Sequence, residues 1–166
     1  MRRAGMRKRV AAVIALAGVV VAALPATAST ATPGRSRCIV MDNLTEKVLE
    51  AGLRDTPPEG YSPGDVGWYK NQLISPRGKV LADVEGTSDI IYVDEDNLWT
   101  IMDNTDTFAD GAIRSNGITD ATRLLANEWV SVPAVGVSGR YAGKTGTRSF
   151  VRTATEGIYD SKIRLC

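Results

Sequence analysis

The sequence predicts an all-β domain, either a sandwich or a closed antiparallel barrel, and three observations carry this. From Gly64 onward seven or eight short alternating stretches follow one another, with turn residues at even spacing. The segment Pro133–Arg152, PAVGVSGRYAGKTGTRSFVR, places Gly136, Gly139, Gly143 and Gly146 three or four residues apart and repeats nothing apolar at helical spacing. Glycines that dense serve left-handed backbone or close backbone approach, so the segment is expected to be a strand, a tight corner around Tyr141 and a second strand.

The chain opens differently. Met1–Val10 carries Arg2, Arg3, Arg7, Lys8 and Arg9, Ala11–Leu24 is uninterruptedly apolar, and Ala26-Thr27-Ala28 is a small-x-small cleavage signature. This is the pattern of a secretory signal peptide over residues 1–28. The alternative, an uncleaved anchor, is disfavoured by the cleavage signature and by an apolar run short for a membrane span. Loss of those five basic residues leaves 15 basic against 19 acidic residues, a net charge of about −4. Such a balance offers no electrostatic footing for nucleic acid or an anionic membrane.

Residues 29–63 are expected to lead into the β domain. Ser29–Arg37 is small, polar and basic. Cys38–Leu53 is compatible with a short helix or a strand, and Arg54–Gly64, with Pro57, Pro58, Pro63, Gly60 and Gly64, is a loop long enough to arch over something. The β domain spans residues 64–166. Its expected strands are Val66–Ile74, Lys79–Val93 with a break near Gly86, Leu98–Phe108, Ala112–Asp120, Leu124–Val132, the two arms of the glycine corner, and Ile158–Leu165. Ser75-Pro76-Arg77-Gly78, Asp94–Asn97 and Ala109-Asp110-Gly111 are the turns.

Several chemistries are argued against by residue type. Gly143-Lys144-Thr145 resembles the end of a phosphate loop, but Ser138 stands where the first glycine belongs and a strand pattern follows where a helix is required. The chain has no histidine and only Cys38 and Cys166, too few ligands for a zinc site. Asp103, Asp106 and Asp110 lack calcium-loop spacing. In an oxidising compartment Cys38 and Cys166 are expected to pair, the alternative being two free thiols.

Phe108-Ala-Asp-Gly111, Pro133 and the run Gly136-Val-Ser-Gly-Arg-Tyr-Ala-Gly143 are similar to the allene-oxide-cyclase and dirigent type of barrel, over about 100 residues. Within that calycin-like superfamily, PAVGVSGRYAGKTGTRSF resembles the corner and strand of bacterial spirotetronate and spirotetramate cyclases. The resemblance implies an eight-stranded antiparallel barrel with a lumen, capped by the N-terminal segment. It also implies an intramolecular [4+2] cycloaddition on a linear polyketide, without cofactor or metal. The partner it implies is a hydrophobic polyketide-like small molecule.

Site residues follow from the same resemblance. Tyr69 matches a cavity aromatic, and strand alternation then turns Asn71 and Leu73 inward and Trp68 outward. Phe150 matches another, with Arg148 and Arg152 pointing the same way. Met102, Ala121 and Val132 stand where the family carries further lumen aromatics, which implies a roomier pocket. Tyr69 or Asn71 is then the candidate donor to a substrate carbonyl. Arg148 matches a mouth arginine that pairs with a capping-segment glutamate, for which Glu46 is the candidate, forming a lid ion pair. The competing expectation is that Tyr69, Phe150 and Met102 only pack a small barrel and that Arg148 is a solvated rim charge. Outward Trp68, Trp99 and Trp129 suggest a homodimer. Two other functions are compatible: a non-catalytic or dirigent-like ligand-binding barrel, and an epoxide cyclase using Glu85 or Glu128 in the lumen.

Overall fold

A computed structural model describes residues 38–166. The expected signal peptide and the lead-in up to Arg37 lie outside the described residues. Eight antiparallel strands run in chain order: β1 (Ile39–Arg54), β2 (Val66–Ile74), β3 (Val80–Val93), β4 (Leu98–Phe108), β5 (Gly111–Asp120), β6 (Val130–Gly139), β7 (Thr145–Arg152) and β8 (Ile158–Leu165). Each pairs with the next, and β8 pairs with β1, so the sheet closes on itself and has no edge.

The barrel therefore begins at Ile39 rather than Gly64. What the sequence presents as the middle of a capping segment is a stave of the wall, hydrogen-bonded to β2 on one side and β8 on the other. Only the loop between Arg54 and Val66 remains of the expected arch. It is tied down by buried Asp65, whose carboxylate accepts from Thr56 N (2.7 Å), Thr56 Oγ1 (2.8 Å) and Ser62 N (2.7 Å). The stretch expected as a strand over Leu124–Val132 begins instead as a short helix, α1 (Ala121–Leu125). Asp120 caps it, its carboxylate accepting from Arg123 N at 3.2 Å, and a carboxylate at that position satisfies a backbone donor the helix leaves free. β6 follows only at Val130.

Gly86 does not break β3. It pairs with Tyr69 on β2 and with Asn104 on β4. A side chain there would stand 2.6 Å from both the Tyr69 hydroxyl and Asn104 Cβ, so the glycine serves close approach within an intact strand.

The interior is divided along the barrel axis. One end is packed solid by Leu44, Leu73, Ala82, Val84, Phe108, Ile113, Ala134, Tyr141, Ile163 and Leu165. The glycine corner closes this end: the buried Tyr141 ring stacks on Phe108 with centroids 4.8 Å apart, and its hydroxyl accepts from Arg140 at 2.9 Å. A β-carbon at Gly136 would lie 1.7 Å from the Tyr141 carbonyl oxygen, so only glycine lets the corner fold back. The disulfide Cys38–Cys166 joins the start of β1 to the end of β8. The opposite end holds a smaller cluster of Met102, Val130, Val132 and Phe150 and stays open.

Candidate active site

The open end leads into a cavity of about 530 Å³. Its rim comes from the loop after β1 (Tyr61), from α1 (Ala121, Leu124, Leu125) and from the turn before β8 (Thr155–Gly157). Its walls come from the inward faces of the strands, including Val48, Tyr69, Ile90, Met102, Phe150 and Tyr159. Apolar side chains dominate the upper wall, while the bottom is polar.

That floor is an ion triad inside the barrel. Arg148 donates from Nη2 to Glu46 Oε2 at 2.8 Å and from Nε to Asp106 Oδ2 at 3.0 Å. All three side chains are buried. Asn71 Nδ2 donates to the other Glu46 oxygen at 2.7 Å, and Asn104 Nδ2 to Asp106 Oδ1 at 3.1 Å. Two carboxylates thus surround one guanidinium, with amides on their free oxygens, and buried charges persist when paired and hydrogen-bonded in this way. Burial pushes the Asp106 carboxyl up to about 6, aided by Glu46 and opposed by Arg148. Burial works against the Arg148 charge, but Asp106 and Glu46 outweigh it and hold the guanidinium protonated beyond its usual range. The Arg148 guanidinium also lies 5.6 Å from the centroid of the Phe150 ring, which forms the wall above it.

Above the floor stands Tyr69. Burial raises its phenol well above the ordinary value, so it is a hydrogen-bond donor and not a base near neutral pH. Its hydroxyl has no hydrogen-bond partner among the described residues, nor does Asn71 Oδ1.

The structure thus brings together Tyr69, Asn71, Met102, Ala121, Phe150, Glu46 and Arg148, all of which line the cavity. It separates two other expected residues from it. Leu73 and Val132 face inward, but Leu73 belongs to the solid end and Val132 is covered within the smaller cluster. Arg148 is neither a rim charge nor part of a lid. Glu46 sits on a barrel strand, and the pair lies at the cavity floor. One N–H of Asn71 is committed to Glu46, and its carbonyl oxygen has no hydrogen-bond partner among the described residues. Glu85 and Glu128 are exposed, the latter paired with Arg123, so the carboxylates of the interior are Glu46 and Asp106. Trp68, Trp99 and Trp129 are each exposed over about two fifths of their surface, and Trp68 also lines the cavity.

Asp106 is the principal residue that sequence reasoning missed. The signal was present, because Met102 fixes the inward face of β4 and alternation carries Asn104 and Asp106 onto it. Weighed only against calcium-loop spacing, Asp106 passed for one more surface acid.

A closed antiparallel barrel, solid at one end and open at the other onto an apolar chamber with a buried ionic floor, is the architecture of a ligand-enclosing β-barrel. The chain belongs to the allene oxide cyclase barrel like domain family, which it matches over residues 45–165. It is similar to the Diels Alderase AbmU from Streptomyces koyangensis, at 30% identity over 78% of this chain with a TM-score of 0.71. It is equally similar to a nonspecific heme-binding cyclase that catalyses [4 + 2] cycloaddition during neoabyssomicin biosynthesis, at 30% identity over 78% of the chain with a TM-score of 0.70. This chain covers 63% of the length of each of those two proteins. AbnU, an exo-specific intermolecular Diels-Alderase, shares the fold at 22% identity and a TM-score of 0.70, over 78% of this chain and 96% of its own.

Proposed function

We propose that this protein is a cyclase that closes a ring on a linear polyketide of tetronate or tetramate type by an intramolecular [4+2] cycloaddition, without a cofactor. The observation that carries this reading is the cavity itself: a chamber of about 530 Å³ with apolar walls and one unpartnered buried phenol above a fixed polar floor. A cycloaddition of this kind turns two π bonds into two σ bonds and moves no proton. The catalyst has to hold a diene and an alkene of one floppy chain in contact and exclude other conformers. Orientation of that kind recovers on the order of 7–11 kcal/mol of the activation barrier in well-aligned intramolecular reactions. The walls at Val48, Ile90, Met102, Phe150 and Tyr159 supply the shape. The Tyr69 hydroxyl, permanently protonated, donates to the carbonyl conjugated with the alkene and draws electron density from it, an interaction that strengthens as the bonds form. The triad holds Asn71 in place through Glu46 and keeps the floor rigid.

Ala121 in place of a larger side chain widens the mouth side, which suits a bulkier chain or a related rearrangement on a polyether precursor. The signal-peptide pattern of residues 1–28 supports a location outside the cytoplasm, and the exposed Trp68, Trp99 and Trp129 support a homodimer.

The test is to mix the purified protein with a linear diene bearing a tetronate or tetramate terminus and to follow the diene absorbance. A saturable rate above buffer is expected. Binding without any acceleration would make the protein a non-catalytic ligand-binding barrel, and absence of both binding and turnover would remove the polyketide reading.

A further inference from the structure

Among the described residues, every arginine except one is either held by a carboxylate, as Arg114, Arg123, Arg140 and Arg148 are, or exposed to solvent. The exception is Arg152, which is half-buried, lines the cavity and makes no hydrogen bond or ion pair among the described residues. It is the last residue of β7, four positions beyond Arg148 on the same inward face, with Phe150 between them. Arg148 lies at the floor, so Arg152 lies at the mouth.

Directly across from Arg152 in the β7–β8 ladder is Tyr159, which also lines the cavity. Its ring packs against the cluster of Met102, Val130, Val132 and Phe150, while its hydroxyl has no hydrogen-bond partner among the described residues. Burial lifts the Tyr159 phenol above its ordinary value and the nearby Arg152 charge pulls it back, so the hydroxyl keeps its proton near neutral pH. A guanidinium and a phenol thus meet at the mouth with their donors unused.

The carboxylates nearby do not answer this charge. Both oxygens of Glu46 are taken at the floor, by Arg148 and Asn71, and Asp106 is bound there as well. Glu156, on the turn after β7, lines the mouth but is exposed and forms no ion pair with Arg152. A guanidinium drawn partly out of water gives up hydration, and it regains that free energy when an oxyanion takes its N–H groups. Its planar fork fits the two oxygens of a carboxylate, and the phenol adds one more donor to the same anion.

We infer that Arg152 and Tyr159 form a carboxylate-binding subsite at the cavity mouth, which anchors a ligand whose apolar chain ends in a free acid at the end remote from Tyr69. The inference rests on the reading of the cavity as a substrate chamber and adds that the substrate is an acid at its trailing end. The anchor also sets the direction of entry: the uncharged end goes in first, toward Tyr69, and the acid stays at the mouth.

The experiment uses two probes with one linear diene chain and one tetronate head, O-methylated so that the head carries no charge. One chain ends in a carboxylate and the other in its methyl ester. Calorimetric titration of the native protein is expected to show the acid bound about ten- to a hundredfold more tightly. Arg152→Gln is expected to lose that ratio and to bind the two probes alike. Tyr159→Phe, expected to shrink the ratio severalfold, covers the case in which Arg152→Gln fails to fold. Equal affinities in the native protein overturn the subsite, and so does a preference for the acid that survives Arg152→Gln. Turnover of both probes at equal affinity leaves the cyclase reading standing and removes only this one, whereas binding of neither removes both.

Discussion

Tyr69 is a half-buried residue whose hydroxyl is buried, protonated and without a partner among the described residues to receive it. Removing an unpaired buried hydroxyl removes a desolvation penalty, so Tyr69→Phe is expected to raise stability by up to about 1–3 kcal/mol. The same change is expected to lower turnover by about ten- to a hundredfold, since a donor aimed at the reacting carbonyl is lost. Parallel thermal melts and diene assays check the opposed signs. A variant both less stable and fully active would show the phenol to be a packing residue. Asp106 gives a pH signature. Its carboxyl titrates near 6 in the folded protein and near 4 when unfolded, so the folded state holds the proton more tightly. Its contribution to stability is fully present below about pH 4 and is lost as the pH rises through about 6. Denaturant unfolding at several pH values should therefore show the native protein losing up to about 3 kcal/mol between pH 4 and 7 relative to Asp106→Asn. A difference between the two proteins that does not change with pH would refute this.

At the scale of elements, most strands announce themselves because one face is buried and the other wet. Val66–Ile74, Leu98–Phe108 and Ile158–Leu165 have the bounds that their alternation and flanking turns indicate. β1 does not, for a physical reason. Its pairing slips between Met41 and Leu44 against β8 and again between Val48 and Glu50 against β2, and Asn43 takes a left-handed backbone conformation. Each bulge resets which residues face inward, so no period of two survives across the strand and Glu46 looks like part of a loose cap. α1 is hidden for the opposite reason, since five residues are too few to show a helical period. The glycine corner was legible as a corner, but the end of the barrel it serves was not, because only the folded wall shows Arg148 at the floor and Tyr141 at the solid end. Its glycines are not equivalent. Gly136→Ala drives a methyl into the Tyr141 carbonyl and is expected to cost several kcal/mol or prevent folding. Gly143→Ala meets nothing within 4 Å and pays only for its left-handed backbone at φ 76°, about 1 kcal/mol. Comparable losses in the two melts would mean that the close approach at Gly136 is relieved without strain.

For the whole molecule, closure of the sheet and closure of the chain coincide. β8 hydrogen-bonds to β1, and the disulfide fastens the same two strands at the solid end, away from the mouth. In the chain-entropy account a crosslink spanning 128 positions contributes about 5 kcal/mol. Cys38→Ser with Cys166→Ser is expected to unfold at markedly lower denaturant while keeping ligand affinity, because neither cysteine touches the cavity. Loss of affinity at full folding would show that the fastening shapes the mouth. Sedimentation across a concentration range tests the homodimer: a self-association that weakens on Trp68→Ser or Trp129→Ser is expected, and a monomer at every concentration excludes it.

The disulfide has one more consequence. From Cys38 to Cys166 the polypeptide is a covalent ring, so any one peptide bond within it can be cut without the pieces parting. The loop carrying Tyr61, 60% exposed beside the cavity rim, is where such a cut falls most readily. A protein clipped there should migrate as one species without reductant and as two fragments with it, the barrel still assembled around its contents. That tolerance of a broken backbone separates survival of the fold from survival of the uncut chain.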